Sequence, residues 1–168
     1  MQFTKSGIGV DFHRFENGRS LFIGGVEIPY NKGLIGHSDA DVLLHAISDA
    51  LLGAASLGDI GIHFPDTDPR YKDISSKILL RRVKGMVRKR QFQIGHIDAM
   101  VVAEEPILLP YFDEMKREIA RALDIELDQI NIKATKAEGL GAIGAGEGIM
   151  AQAIASIYPL GKEDMGER

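Results

Sequence analysis

No cysteine occurs among the 168 residues, which excludes a disulfide framework and a thiolate zinc centre. Any metal must therefore be held by His, Asp and Glu. Long apolar runs are missing too: no stretch approaches the ~18 residues of a membrane-spanning helix. The start lacks a secretory pattern, and nothing in the composition resists a reducing cytosol, so a cytoplasmic setting is expected. Neither sign of charge prevails. Twenty basic against twenty-four acidic residues leave a net charge of −4, which argues against a general nucleic-acid binder. What is present is ordinary for a globular protein, with 45% hydrophobic and 26% charged residues, and no internal repeat or linker divides the chain. One domain over residues 1–168 is expected, long enough to bury a core without staples.

The most informative stretch runs from His37 to Gly61. Leu44, Ile47, Leu51, Ala54 and Ala55 recur at helical spacing and should face a core, whereas Asp41, His45 and Asp49 fall at i, i+4 and i+8 on one line. Ser38 followed by Asp41 reads as a capping-box start and Gly58 as a stop, so the helix is at most about twenty residues long. Two explanations fit the polar line. It is a solvated face, or it is part of a metal site in which His45 is a ligand and Asp41 or Asp49 holds its second ring nitrogen.

Ahead of this helix, Gly7 to Phe15 alternates as a strand, placing Asp11 and His13 on one face and Val10 and Phe12 on the other. Combined with His45, Asp11 and His13 make a His₂-carboxylate set from a strand and a helix. That leaves a fourth tetrahedral position open, the layout of a catalytic zinc. Residues 20–30, with Gly24-Gly25 in the middle, read as a small hairpin, and Pro29 to Gly36 as a loop leading to the helix. Beyond the helix, Asp59, Asp66 and Asp68 lie in a Gly- and Pro-bounded loop, either a plain acidic turn or acceptors for sugar and polyol hydroxyls.

A second helix is expected from Asp73-Ile74-Ser75-Ser76 to about Arg90, with Ile78, Leu79, Val83 and Met86 packing and Lys77, Arg81, Arg82, Lys84, Arg88, Lys89 and Arg90 as a solvated basic face. No aromatics interleave that run as single-strand binding would favour. Strands follow at Ile94–Ala103 and Ile130–Thr135, separated by a helix near Tyr111–Leu123. The glycine-dense stretch Gly139–Gly148 matches G-x-G-x-x-G on paper, but with no βαβ unit to follow and no helix opening there it is no dinucleotide fingerprint. A last apolar strand runs from Ile149 to about Tyr158, and the charged tail from Gly161 should fray. His63 and His96 are not expected to take part in chemistry. The order of elements predicts an α/β (α+β) two-layer sandwich, a mixed sheet with helices on one face.

Gly9-Val10-Asp11-Phe12-His13, His37-Ser38-Asp39-Ala40-Asp41 through His45-Ala46, Gly58-Asp59-Ile60-Gly61, Phe64-Pro65-Asp66-Thr67-Asp68, and Lys133-Ala134-Thr135 with Gly146-Glu147-Gly148 together resemble the 2-C-methyl-D-erythritol 2,4-cyclodiphosphate synthases of non-mevalonate isoprenoid synthesis. The resemblance spans nearly the whole chain in the family's order. It implies a ferredoxin-like subunit in a homotrimer with active sites between neighbours. The implied reaction converts 4-diphosphocytidyl-2-C-methyl-D-erythritol 2-phosphate into the cyclic diphosphate and CMP.

By position, the resemblance makes Asp11, His13 and His45 the Zn²⁺ ligands, in agreement with the set reached from spacing, and gives Glu138 to Mg²⁺ or Mn²⁺ at the α- and β-phosphates. His37 and Ser38 would contact the phosphates, with His37 and Lys136 steadying the transition state. Asp59, Ile60 and Gly61 would take the ribose. Phe64, Pro65, Asp66, Thr67 and Asp68 would take the erythritol. Ala103, Glu104, Glu105, Pro106, Ile107, Leu108 and Leu109 would take the cytosine, and Thr135, Ala137, Ala142 and Ala145 would complete the substrate contacts. The chain departs from the family at Lys136, where Thr is usual, at Val10, Ala142 and Ala145, where Phe, Phe and Arg are usual, and at Ile107, where Lys is usual. Lys136 would act as a point charge on the diphosphate. Val10, Ala142 and Ala145 alter residues associated with isoprenoid-diphosphate binding in the trimer channel. A zinc phosphohydrolase and a non-catalytic, metal-stabilised nucleotide-binding trimer are the rival readings. No fused cytidylyltransferase is expected within 168 residues.

Overall fold

The computed structural model describes residues 3–161. Of the tail expected to fray, only Gly161 falls within that range, and residues 162–168 lie outside the described residues. A five-stranded mixed sheet carries the fold, in the order β4-β1-β7-β5-β6. Its strands are β1 (Lys5–Asn17), β4 (Lys32–Leu34), β5 (Phe92–Val102), β6 (Ile130–Thr135) and β7 (Gly148–Pro159). β5 and β6 are parallel, and the other pairings are antiparallel. β2 (Leu21–Ile23) and β3 (Val26–Ile28) form the expected hairpin about Gly24 and Gly25, both at positive φ. The sheet is covered on one face by α1 (Val42–Ala54), α3 (Ser76–Lys89) and α4 (Phe112–Leu123), in agreement with the predicted mixed sheet and one-sided helices.

The approach of α1 to the sheet is governed by small side chains. On β1 the alternation puts Gly7, Gly9, Asp11 and His13 toward the helix and Ile8, Val10 and Phe12 away from it. A Cβ on Gly7 would lie 2.2 Å from the Ala50 carbonyl oxygen, and one on Gly9 would lie 2.0 Å from that of Ala46. Two strand residues advance about 6.8 Å and four helix residues about 6.0 Å, so the two ladders keep step. Gly7 meets Ala50 and Ala54, Gly9 meets Ala46 and Ala50, and the next inward residue, Asp11, meets His45. Ala151, Ala153 and Ala155 of β7 continue the same low surface beneath α1.

Several boundaries differ from the sequence reading. α1 begins at Val42, and its N-cap is Asp41, whose carboxylate accepts the Leu44 N–H at 3.1 Å; Ser38 is not the cap. Ser38 is instead turned inward beside the His45 ring. The segment 29–36 is not all loop, because β4 forms there on the free edge of β1. The acidic loop contains α2 (Ile60–His63) and a 3₁₀ turn at Pro69–Tyr71. The glycine-dense stretch contains one helical turn, α5 (Gly141–Gly144), where none was expected. On α3 the packing residues are Leu79, Leu80, Val83 and Val87, while Ile78 is exposed and Met86 half-buried. Its basic residues serve as an ordinary outer face, with Lys77 on Glu118 and Lys84 on Asp124, each at 3.0 Å.

Candidate active site

Three ligating atoms meet where β1 passes the first turn of α1. Asp11 Oδ2 lies 2.9 Å from His13 Nε2 and 3.0 Å from His45 Nδ1, and the two ring nitrogens are 3.2 Å apart. His13 is oriented from behind, since its Nδ1–H donates to the Ile35 carbonyl at 2.6 Å, just beyond β4. The neutral ring then presents a bare Nε2 to a carboxylate, an acceptor facing an acceptor. Such a pair asks for a proton or a cation. Burial alone would raise the Asp11 pKa, but the hydrogen bonds and charges of His13 and His45 outweigh it and hold the carboxyl well below the usual range. Burial likewise works to lower the His13 pKa and is overcome by the Asp11 bond and charge, so it is raised. These donors fit a divalent metal: two imidazoles and a carboxylate, mutually within 4.8 Å, form the expected His₂-carboxylate set.

The polar line on α1 is neither a solvated face nor a single second layer. Asp41 is 0% exposed, and beyond capping α1 it accepts the Gly24 and Gly25 N–H groups at 2.9 and 2.6 Å, tying the hairpin to the helix. Asp49 accepts the Ile60 N–H at 2.7 Å and so anchors α2, and burial pushes its carboxyl pKa up. Neither reaches the His45 ring, contrary to the role expected of them. The second ring nitrogen of His45, Nε2, is held instead by Ser76 Oγ at 2.9 Å and Ser38 Oγ at 3.2 Å. Sequence reasoning missed Ser76. Its signal, a serine in the opening turn of a basic helix, is indistinguishable in the chain from routine capping.

The triad lies in the wall of a cavity of about 440 Å³ that also takes in His37, Ser38, Ile60, Gly61, Phe64, Pro65, Asp66, Tyr71 and Leu79. Its size suits a small ligand. His37 Nε2–H donates to the Asp68 carbonyl at 3.1 Å, and the Asp68 carboxylate is engaged by Arg70. Asp59 is exposed and caps α2 through the Ile62 N–H at 3.0 Å, while Thr67 stands outside the cavity. His63 donates to the Leu57 carbonyl at 2.8 Å, a structural role.

A second cavity of about 330 Å³ is lined by Ala103, Glu104, Pro106, Ile107, Leu108, Leu109, Ala134, Thr135 and Lys136. Glu105 is joined to Pro106 by a cis peptide bond and lies outside the lining, as do Ala137 and Glu138. Ala142 and Ala145 sit on and beside α5 and line neither cavity. The two cavities share no residue. In register, Asp11 pairs with Ala151, Ala151 with Val101 and Val101 with Ala134. Three strand spacings of about 4.8 Å thus separate the triad from the Thr135 end by roughly 14 Å.

Residues 4–158 match the model of the YgbB family. A protein of Alkaliphilus metalliredigens is 58% identical over 151 residues, 90% of this chain and 95% of its own, and one of Clostridium perfringens is 57% identical over 148 residues, 88% and 95%. Both are named 2-C-methyl-D-erythritol 2,4-cyclodiphosphate synthase. Among solved structures, the bifunctional IspDF of Campylobacter jejuni aligns with a TM-score of 0.92 at 40% identity over 95% of this chain, which spans 43% of that longer chain. The Plasmodium falciparum IspF in complex with CDP aligns with a TM-score of 0.82 at 31% identity, over 94% of this chain and 97% of its own. The aligned stretch contains the triad, both cavities and the glycine turn, and the chain belongs to the YgbB family of 2-C-methyl-D-erythritol 2,4-cyclodiphosphate synthases.

Proposed function

We propose that this chain converts 4-diphosphocytidyl-2-C-methyl-D-erythritol 2-phosphate into 2-C-methyl-D-erythritol 2,4-cyclodiphosphate and CMP, a phosphorus-oxygen lyase step of isoprenoid precursor synthesis in the cytoplasm. The observation that carries the reading is the convergence of Asp11, His13 and His45 in the wall of a ligand-sized cavity. An oxygen of the 2-phosphate forms a bond to the β-phosphorus while the bond from that phosphorus to the bridging oxygen breaks, and CMP departs with the electron pair. The nucleophile is a phosphate of the substrate and arrives ionised, so no side chain need remove a proton. The protein's task is to bend the substrate into line and offset its negative charge.

Asp11, His13 and His45 would hold Zn²⁺, and Glu138 would hold Mg²⁺ or Mn²⁺ at the diphosphate. Bound there, the cations supply Lewis-acid charge stabilisation and a template for the phosphates. His37 and Ser38 would meet the phosphates from the first cavity, Ile60 and Gly61 the ribose, and Phe64, Pro65 and Asp66 the erythritol, with Thr67 and Asp68 following just outside its lining. Lys136 brings a fixed positive charge from the second cavity, where Ala103 to Leu109 would receive the cytosine.

The separation of roughly 14 Å across the sheet between the triad and the Thr135 end of β6 supports a site completed between subunits. So does the sheet face turned away from the helices, where Ile8 and Phe12 are 60% and 62% exposed. A ferredoxin-like domain spanning 1–168, packed as a homotrimer on that face, brings one subunit's triad to its neighbour's Lys136. The test is incubation of the purified protein with the cytidine-linked substrate and Mg²⁺, with and without a zinc chelator. CMP and the cyclic diphosphate should appear in equal amounts, and chelation or His45→Ala should stop both. Release of inorganic phosphate in place of CMP would overturn the reading in favour of a phosphohydrolase.

A further inference from the structure

Beside the triad, outside the cavity lining, Ser76 and Asp39 form a polar chain that the proposed reaction does not use. Ser76 is 1% exposed, so it neither meets substrate nor acts as a nucleophile. Its backbone N–H donates to Asp39 Oδ2 at 2.9 Å, and its hydroxyl donates to Asp39 Oδ1 in a short hydrogen bond. A hydroxyl has one proton to give. With that proton committed to Asp39, Ser76 Oγ has only lone pairs to offer His45 Nε2, 2.9 Å away. The contact is then a hydrogen bond only when the neutral imidazole carries its proton on Nε2, which leaves Nδ1 bare. Nδ1 is the atom that faces Asp11 and His13.

We propose that Ser76, locked by Asp39, is a positioning residue that holds the His45 proton on Nε2 and so keeps Nδ1 open for a metal ion. The arrangement is a competition across one ring. At the Nδ1 end, the Asp11 carboxylate at 3.0 Å attracts the proton to the ligating atom, where a cation would have to displace it. At the Nε2 end, Ser76 and Asp39 pull the other way. Ser38 cannot substitute fully: its oxygen lies farther from Nε2, at 3.2 Å, already accepts the Ala40 N–H at 3.1 Å, and among the described residues has no carboxylate bonded to it to fix its proton. Asp39 is the essential lock. If its acceptor oxygen became an amide donor, the Ser76 hydroxyl would be free to turn its proton toward Nε2 and favour the opposite tautomer.

This inference rests on the metal reading of the triad and is separable from it by experiment. Zinc affinity is measured by chelator competition on the whole chain for the wild type, Ser76→Ala and Asp39→Asn. Metal-free samples labelled with ¹⁵N-histidine are compared by NMR above the imidazole titration range. Both variants should bind zinc about tenfold more weakly, at the low end of what loss of an orienting partner costs because Ser38 remains. Both should also shift the His45 proton from Nε2 toward Nδ1. Circular dichroism and metal-free melting establish the fold. Should Ser76→Ala not fold, Asp39→Asn decides, since it preserves shape and the acceptor for the Ser76 N–H. Affinity within twofold of wild type, or weaker binding with an unchanged tautomer, would overturn the proposal. Absence of zinc binding by the wild type would overturn the metal reading instead, while the tautomer comparison still tests whether Ser76 and Asp39 set the ring.

Discussion

Replacing Gly9 by alanine puts a methyl group where the backbone of α1 leaves no room. The new Cβ would stand 2.0 Å from the Ala46 carbonyl oxygen and 2.7 Å from the Ala50 nitrogen, whereas ordinary contact begins at 3.4 Å. Relief requires β1 and α1 to separate by about 1.4 Å, and no side-chain rotation provides it because both obstructing atoms are main chain. Overpacking of a core costs about 1–3 kcal/mol, and a backbone obstruction belongs at the upper end, about 3 kcal/mol. That is a large share of the ~5–15 kcal/mol by which a domain is stable. With a urea dependence of about 2 kcal/mol per molar, the unfolding midpoint of the metal-free protein should fall by about 1.5 M. The same displacement exceeds the tolerance of about 0.2 Å in metal–ligand distances, so zinc affinity should fall as well. Gly85→Ala is the control. It lies on the exposed face of α3 with nothing within 4 Å of a Cβ, and should stabilise by about 0.5–1 kcal/mol. A Gly9→Ala protein within about 0.5 kcal/mol of wild type, with unaltered zinc affinity, would refute the account of how β1 and α1 bring the triad together.

Asp41→Ala removes a helix cap and strands the Gly24 and Gly25 N–H groups, costing roughly 3 kcal/mol or more in urea denaturation. Asp41→Asn, which keeps one acceptor oxygen, should recover part of it. Asp49→Ala frees Ile60 at the start of α2. It should raise KM for the cytidine-linked substrate more than it lowers kcat, and an equal fall in kcat with KM unchanged would contradict an anchoring role. For the metal-free protein, His13 has a raised pKa in the folded state. Its contribution is fully present below the unfolded value of about 6.5 and is lost as pH rises through the folded value. Urea midpoints measured from about pH 6 to about pH 9 should decline with pH in wild type and decline less in His13→Gln. Asp11, held low, contributes the opposite limb, which disappears as pH falls through its folded value.

Elements fixed by local chemistry were legible in the sequence. The alternation of Gly7 to Phe15 placed Asp11 and His13 on one face, Gly24-Gly25 marked the hairpin, and the apolar spacing of Leu44, Ile47 and Leu51 marked α1. What escaped was decided by partners distant in the chain. β4 is a strand because β1 offers a free edge, and three residues beginning Lys32-Gly33 have no strand signature of their own. Ile78 and Leu80 are both apolar, and only the placement of α1 against α3 decides that Leu80 is buried and Ile78 exposed. The triad was readable because Asp-x-His on a strand and a His on an apolar helix, each a weak signal alone, combine into a His₂-carboxylate set. Ser76 was not, since serine at a helix start is commonplace and its meaning depends on His45 and Asp39, more than thirty residues upstream.

The polar line of Asp41, His45 and Asp49 shows where periodicity stops. Spacing at i, i+4 and i+8 establishes that three side chains share a face, but not what that face meets, and here it meets three different things along its length. At its first turn α1 lies under the hairpin, and Asp41 is consumed by backbone N–H groups. One turn on it lies beside β1, and His45 joins Asp11 and His13. One turn further it lies beneath α2, and Asp49 holds Ile60. The line therefore acts as a spine on which both the ligand set and the cavity wall are hung, with His45 its only chemical member. A carboxylate that touches no ligand can then govern binding: Asp49 holds Ile60, next to Gly61 in the cavity wall, and has no bond to Asp11, His13 or His45, so its loss should free the wall and spare the triad. Asp49→Ala should accordingly retain wild-type zinc affinity while binding substrate less well, and Gly9→Ala should lose zinc affinity directly. If both variants lost zinc to the same degree, the wall and the metal set would be one cooperative unit, not two tied separately to the same helix.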